Sequence, residues 1–358
     1  MRVFHFILDH RIGGPHAYVR GLARELTPSV ASILVTTGRG DATDLALLNL
    51  RHFLKFLYPI EVLLNMVSLC WQFRHRVSRR EVIFDVHGAA NLAPILAARL
   101  LSIPLVWHFH ETLPGFVGLV RFGKAAAAGI AHQYIVVAAR AVEVFDLPEA
   151  NLIPGGVDLD FWQPTEPNQA EAPLRLIAVG NLNPLKGLDI LLDALDGLNG
   201  PWELVIVGAK LQTHTAYSDD LHRRSKCIAR DDRRVEFTGF QSTAQVRELL
   251  SHADIFVLSS RSEACPIALL EAMASGLVCV ASDVGDVAAI LDMPGSGIVY
   301  QSESVTALTA ALIEAVALGR EARREMGRRA RTQIEARYSQ RQMAARHLEI
   351  YRKLVLEG

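Results

Sequence analysis

Short apolar runs alternate with amphipathic stretches along nearly the whole chain. The runs fall at Val3–Leu8, Ser32–Thr36, Val82–Val86, Leu105–Phe109 and Tyr134–Ala138. A second series follows at Leu174–Val179, Leu204–Val207, Val235–Phe237, Ile255–Leu258, Val278–Ala281 and Ile298–Tyr300. They are rich in Val, Ile, Leu and Phe, as strands covered on both faces should be. Helical patterns lie between them, for example at His16–Leu26, Leu188–Leu198 and Thr243–Leu250. Strands alternating with helices predict parallel α/β sheets. Phe161 to Pro173 breaks the rhythm with three prolines and no apolar period, and reads as a linker. The expected division is therefore 1–165, 166–338 and a terminal helix within 339–358. That helix carries Met343, Leu348, Tyr351 and Leu354 at helical spacing and is expected to cross back to the first domain.

Composition narrows the class. At about 150 residues per domain, 358 residues suggest two domains, or three. The balance of 37 Lys and Arg against 38 Asp and Glu argues against a general nucleic-acid binder. Cys70, Cys227, Cys265 and Cys279 lack disulfide-scaffold or zinc spacing, which fits a reducing, cytoplasmic compartment. The longest stretch free of Asp, Glu, Lys and Arg is 15 residues, Ala125 to Ala139, short of the ~20 that span a bilayer. The chain enters a strand-like run at Val3, without a signal-peptide layout. Residues 51–80 differ from the rest. Arg51, Lys55, Arg74, Arg76, Arg79 and Arg80 face a lone Glu61, a net of +5, with apolar side chains interleaved. Such a stretch suits an anionic membrane surface, or else an ordinary helix pair with a solvated basic face.

Ligands of doubly wound sheets bind at the carboxyl ends of strands, which directs attention to three loops. After the first strand come Gly13 and Gly14, ahead of Pro15 and a helix. Paired glycines there admit a ligand close to the backbone. No GxGxxG or Walker A sequence occurs, which weakens dehydrogenase and ATPase readings. After the first strand of the second domain comes Gly180-Asn181-Leu182-Asn183-Pro184-Leu185-Lys186-Gly187, with Lys186 at a strand-to-helix junction suited to phosphate. The third loop runs from Ser259 through Glu263, Ala264, Cys265 and Pro266 into a helix that carries Glu271. Free N–H groups near Ile267, Ala268 and Leu269 would form an anion site. Two flanking carboxylates add acceptors for vicinal hydroxyls. An anion site flanked by two carboxylates suits a ligand with both phosphate and vicinal hydroxyls. Asp158-Leu159-Asp160 mimics a metal-binding DxD but sits beside the linker, so it reads as structural and no metal is implied.

The stretch from Glu263 to Glu271 resembles the Glu–seven residues–Glu motif of retaining GT-B glycosyltransferases, specifically glycosyltransferase family 4. The likeness covers nearly the whole chain. The Gly13-Gly14 pair, Leu105–Thr112 with its histidine at His110, Ile153-Pro154-Gly155-Gly156-Val157-Asp158 followed by Phe161, Val235–Phe240 and Ala253–Ser260 are all similar to the family's signatures in this order. The resemblance implies two Rossmann-like doubly wound parallel-sheet domains facing a cleft that closes on substrate. It further implies transfer from a UDP- or GDP-sugar to a saccharide or lipid-linked acceptor in cell-envelope polysaccharide or glycoconjugate synthesis. No metal cofactor is implied. An acceptor at the membrane would place the protein on the inner face.

Roles follow residue by residue from the same resemblance. Glu263, with the backbone of Ala264 and Cys265 after it, is expected to hold the donor sugar, and Glu271 the ribose. Lys186 and the amides of Ile267, Ala268 and Leu269 are expected at the diphosphate, Gly239 and Phe240 at the base. His110 is expected at the sugar and phosphate, and Gly13 and Gly14 to leave room. Asn181 stands where the family has an arginine, a lost cationic contact that Arg261 could replace. Three alternatives stay open: a nucleotide-sugar epimerase of the same architecture, a non-catalytic sugar-nucleotide-binding subunit, and a membrane scaffold built on the basic segment.

Overall fold

The computed structural model describes residues 1–8, 13–27, 29–36, 47–48, 57–74, 81–112, 114–130, 132–164 and 173–357. It divides into two compact units, Met1–Gly156 with Gln340–Gly358, and Val157–Ser339. The division at 156/157 precedes the expected 165/166 because the start of the presumed linker belongs to the second core. Trp162 is buried there with Val157. Positions 165–172 of that linker lie outside the described residues.

The first unit runs β1 (Arg2–Ile7), α1 (Gly14–Leu26), β2 (Ala31–Thr36), α2 (Tyr58–Phe73), β3 (Val82–His87), α3 (Leu92–Leu101), β4 (Leu105–Phe109), α4 (Val117–Ala127), β5 (His132–Val136), α5 (Arg140–Phe145) and β6 (Asn151–Leu152). The sheet is parallel, in the order β2-β1-β3-β4-β5-β6. Every residue of β3 and β4 is buried, as expected of strands with helices on both faces. Phe6, Phe84, Trp107 and Phe109 fill one side of the core. Helix α1 begins with Pro15 in its first turn, where a missing N–H costs nothing.

The second unit runs β7 (Leu174–Val179), α6 (Leu188–Asp196), β8 (Trp202–Val207), α7 (Thr215–Ile228), β9 (Arg233–Gly239), α8 (Thr243–Ser251), β10 (Ile255–Leu258), α9 (Ile267–Ala274), β11 (Val278–Ser282), α10 (Val287–Ile290), β12 (Ile298–Tyr300), α11 (Val305–Ala317) and α12 (Arg320–Arg337). Its order, β9-β8-β7-β10-β11-β12, is all parallel. The strand order reverses between β7 and β10, so the crevice for a ligand opens where those strands end. Apolar side chains cover both faces of the sheet. Helix α8 starts with a reciprocal cap between Ser242 and Gln245. The last helix, α13 (Gln340–Glu357), belongs to the first unit, where His347, Tyr351 and Leu354 are buried. Both units have the doubly wound α/β architecture.

Candidate functional site

In the second unit the loops after β7 and β10 are bonded to each other. Ser259 Oγ donates to the Lys186 carbonyl at 2.9 Å and Arg261 N–H to the Leu185 carbonyl at 2.8 Å. Asn183 caps the turn by accepting from Leu185 N–H at 2.9 Å. Gly187 ends it in the left-handed region, φ +58°, with its missing Cβ 2.0 Å from the Ser259 carbonyl oxygen. Only glycine meets both conditions. Gly285 plays the same part behind Glu263. Its φ is +56° and a Cβ would lie 2.3 Å from the Glu263 carbonyl oxygen.

This stitching brings Lys186 and Glu263 together. Lys186 Nζ lies 2.7 Å from Glu263 Oε1, which also accepts from Ser260 Oγ at 2.6 Å. The lysine stem runs over Gly180, whose missing Cβ would sit 3.2 Å from Lys186 Cδ and Cε. Two groups expected at different parts of the donor therefore pair with each other. Pro266 caps α9 without a side-chain bond, and the N–H groups of Ile267 and Ala268 meet no protein acceptor among the described residues. Leu269 corrects the expectation, because its N–H donates to the Pro266 carbonyl at 3.0 Å. Two amides, not three, are thus left open at the start of α9 among the described residues. Burial pushes the Glu271 carboxyl up to about 8. Ala264 turns its carbonyl to Asp286 N–H at 3.2 Å, and Cys265, half-buried, follows it in the loop before α9. Beyond β9, Gly239 has φ +71° with nothing within 4 Å of its Cβ position, and Phe240 is exposed.

Two further expectations change. Arg261 is not available to replace a cation at Asn181. Its guanidinium bonds both Asp189 oxygens, at 2.9 and 2.7 Å, and the Pro184 carbonyl at 2.6 Å. Burial opposes ionisation of Asp189, but bonds from Arg261 and Tyr217 outweigh it and hold the carboxyl below its usual range. Asn181 serves the backbone, accepting from Ala209 N–H at 3.1 Å. Asp158 likewise accepts from the amides of Asp160 and Phe161 at 3.0 and 3.1 Å, closing a turn.

In the first unit, Gly13 caps α1 in extended backbone with nothing within 4 Å of its Cβ position, and Gly14 begins the helix. Positions 9–12 before them lie outside the described residues. His110 follows β4, half-buried, with Nε2 3.0 Å from His87 Nδ1. Glu111 beside it accepts from the N–H groups of Ala89 and His110, both at 3.2 Å. Behind His110 lies a polar cluster that sequence reading missed: His5, Asp85, His87, His108, His347 and Tyr351, all buried. Only the density of histidines around β3 and β4 hinted at it. The ring nitrogens of His87, His108 and His110 lie within 4.8 Å of one another, as do ligand atoms of His5, Asp85 and His87.

Helix α2 exposes Ile60, Leu63, Leu64, Val67 and Trp71, a stripe at helical spacing, while Leu69 and Phe73 face the core. Arg74 lies 3.3 Å from the Trp71 ring centroid. Of the other basic residues in 51–80, positions 51, 55, 76, 79 and 80 fall outside the described residues. No helix among the described residues is long and apolar enough to cross a membrane.

Residues 163–333 match the family described as Glycosyl transferases group 1. The match covers most of the second unit. The chain is 26% identical over 324 residues to alpha-maltose-1-phosphate synthase of Mycolicibacterium smegmatis, covering 81% of this chain and 84% of that protein. It is 28% identical over 204 residues to GDP-mannose:cellobiosyl-diphosphopolyprenol alpha-mannosyltransferase of Xanthomonas campestris, covering 56% of this chain and 52% of that protein. The crystal structure of Anabaena HepE in complex with UDP and glucose aligns over 98% of both chains with a TM-score of 0.81 at 17% identity. The fold is GT-B, and together the comparisons support a GT-B glycosyltransferase. They favour neither the epimerase nor the non-catalytic alternative.

Proposed function

We propose that this glycosyltransferase belongs to family 4 and moves a sugar from a nucleotide-sugar to a hydroxyl acceptor with retention at the anomeric carbon. The observation that carries the reading is the Lys186–Glu263 pair where β7 and β10 end, followed by two open amides at the start of α9 and by Glu271 about one turn into that helix. Cation and amides suit a diphosphate, and the two carboxylates suit the hydroxyls on either side of it. Lys186 and Glu263 exchange their mutual bond for bonds to diphosphate and sugar when the donor enters. Transfer breaks the anomeric carbon–diphosphate oxygen bond and forms one from that carbon to the acceptor oxygen. The acceptor proton passes to the leaving diphosphate on the same face. Lys186 and the amides stabilise the charge that develops there. His110 contacts the sugar, Gly13 and Gly14 leave room for the diphosphate and acceptor, and the Gly239-Phe240 turn meets the base. No metal enters this scheme.

HepE was solved with UDP and glucose, and the Xanthomonas relative is named for a GDP-mannose donor and a diphosphopolyprenol acceptor. Both support a nucleotide-sugar donor, with UDP- and GDP-sugars the first to try. The exposed stripe of α2, next to basic positions in the sequence, supports a lipid-linked acceptor met at the anionic inner face of a membrane. The purified chain should be screened with UDP-, GDP- and ADP-sugars for thermal stabilisation. The best binder should then be incubated with saccharide and lipid-linked acceptors, and the product linkage read by NMR. Lys186→Ala should lower both binding and turnover. Failure of every sugar nucleotide to bind a folded chain, or release of an epimerised sugar, would refute the reading.

A further inference from the structure

Asp85 is fully buried and enclosed by three histidines and Tyr351, whose hydroxyl makes the one hydrogen bond to it among the described residues. Its Oδ2 lies 2.8 Å from His5 Nδ1 and 3.5 Å from His87 Nε2, and accepts from the Tyr351 hydroxyl at 2.5 Å. Its Oδ1 lies 2.5 Å from His108 Nε2. Burial opposes the charge, but His108 and His87 beside it, and then His5, hold the carboxyl well below its ordinary value. An ionised carboxylate only accepts, and at 2.5–3.5 Å its charge favours the proton on the histidine nitrogen that faces it over the far one. A neutral imidazole has one N–H. His87, facing Asp85 through Nε2, therefore presents a bare Nδ1. The 3.0 Å contact from that nitrogen to His110 Nε2 then requires the proton on His110.

We propose that Asp85 and His87 are positioning residues that fix His110 as its Nε2–H tautomer, leaving Nδ1 as an acceptor for a sugar hydroxyl. The proposal rests on the reading of His110 as a sugar contact. Burial, then the neighbouring His87 and His108, keeps His110 neutral, and burial drives His87 down to about 3. A neutral acceptor takes a hydroxyl proton and offers nothing to a phosphate oxygen, so the tautomer decides which part of the donor this ring recognises. The groups around it come from five elements: His5 on β1, Asp85 and His87 on β3, His108 on β4 with Glu111 just after it, Tyr18 on α1, and His347 and Tyr351 on α13. Tyr18 meets the His110 ring edge-on at 5.0 Å, and His347 stacks on His108 at 5.2 Å. No described side chain occupies His110 Nδ1.

The decisive measurement is the ¹⁵N spectrum of histidine-labelled protein near neutral pH, with His110 assigned by its loss in His110→Ala. The wild type should show a protonated Nε2 and a bare Nδ1. His87→Ala should mix the two tautomers, and His87→Asn, whose amide oxygen accepts near the same point, should restore the first. Turnover should follow: about a 10–100-fold loss of kcat in His87→Ala with little change in donor KM, largely recovered in His87→Asn. If His110→Ala turns over normally, the sugar-contact reading fails, while the spectrum still judges the tautomer. A wild-type Nδ1–H signal, an unaltered kcat in His87→Ala where His110→Ala is impaired, or a stoichiometric metal ion in the purified protein would each overturn the proposal. If His87→Ala does not fold, the wild-type and His87→Asn spectra decide it.

Discussion

Glu271→Gln isolates the ribose contact. Burial raises this carboxyl from an ordinary 4.5 to about 8, so in the empty site it is mostly protonated at neutral pH. Bonds from a ribose diol favour the ionised form, so binding pulls the proton off. If only the ionised site binds well, affinity rises about tenfold per pH unit below 8, or about 50-fold from pH 6 to pH 8. Glutamine keeps the shape and one acceptor but cannot ionise. It should cost roughly 1.5–3 kcal/mol of nucleotide affinity at pH 9 and progressively less toward pH 6. Calorimetric titration of both proteins with UDP, or whichever nucleoside diphosphate binds best, measures this. The phosphate groups titrate too, but that dependence cancels in the ratio of the two proteins. Stability gives a second readout. A carboxyl held neutral by the fold contributes stability that is fully present below the unfolded value and is lost as pH rises through about 8. Glu271→Gln should flatten that decline. Parallel pH curves for two folded proteins, in affinity and in stability, would refute both the raised carboxyl and its ribose role.

Other outcomes follow from the same geometry. Gly187→Ala places a Cβ 2.0 Å from the Ser259 carbonyl oxygen at φ +58°. It should cost about 2–4 kcal/mol in denaturant unfolding and weaken nucleotide binding, and wild-type stability would contradict it. His347 is held down to about 4 by burial, and His87 to about 3. Both are neutral in the fold, so stability of the first unit present at neutral pH should fall by about 5 kcal/mol as pH drops from 6.5 toward 4. Hydrogen exchange read on β3 and β4 apart from β10 and β11 separates this from Glu271, whose sign is opposite; equal protection at pH 7 and 5 on β3 and β4 would contradict it. Turnover should survive EDTA, and activity lost to chelation and restored by Mg²⁺ or Mn²⁺ would reverse the metal-free reading. Anionic vesicles should co-sediment the wild type in a salt-sensitive manner and release a Leu63→Ser/Val67→Ser/Arg74→Ser variant. Equal sedimentation of the two would return α2 to an ordinary surface helix.

The two sheets were legible because parallel strands buried on both faces leave unbroken apolar runs. Eleven of the strands correspond to such runs; β6, only Asn151–Leu152, is too short to carry a pattern. The approach of Lys186 to Glu263 was legible for a related reason. Lys186 and Glu263 each lie in a loop directly after a strand, and the two strands are neighbours in the sheet. What the sequence did not reveal is which partner each side chain takes. Arg261 looks like a spare cation beside Lys186 until Asp189, in the first turn of α6, is seen to hold it bidentately. Leu269 looks like an open amide until the backbone at Pro266 turns its carbonyl inward.

The cluster beneath His110 escaped detection for a deeper reason. Asp85 and Tyr351 stand 266 positions apart, and nothing local to either predicts the other. Read along β3, Asp85 is a polar residue inside an apolar run, an apparent fault in a buried strand. Its physical solution is a carboxylate enclosed by polar side chains from β1, β3, β4 and α13. A buried charge left with a missing partner costs about 1–3 kcal/mol or more, so these elements are coupled through one side chain. That coupling gives α13 a part in the chemistry as well as in packing. Tyr351 satisfies the carboxylate, the carboxylate sets His87, and His87 sets the ring proposed to meet the sugar. In the second unit, backbone bonds between adjacent loops position the residues; here a shared buried charge does so.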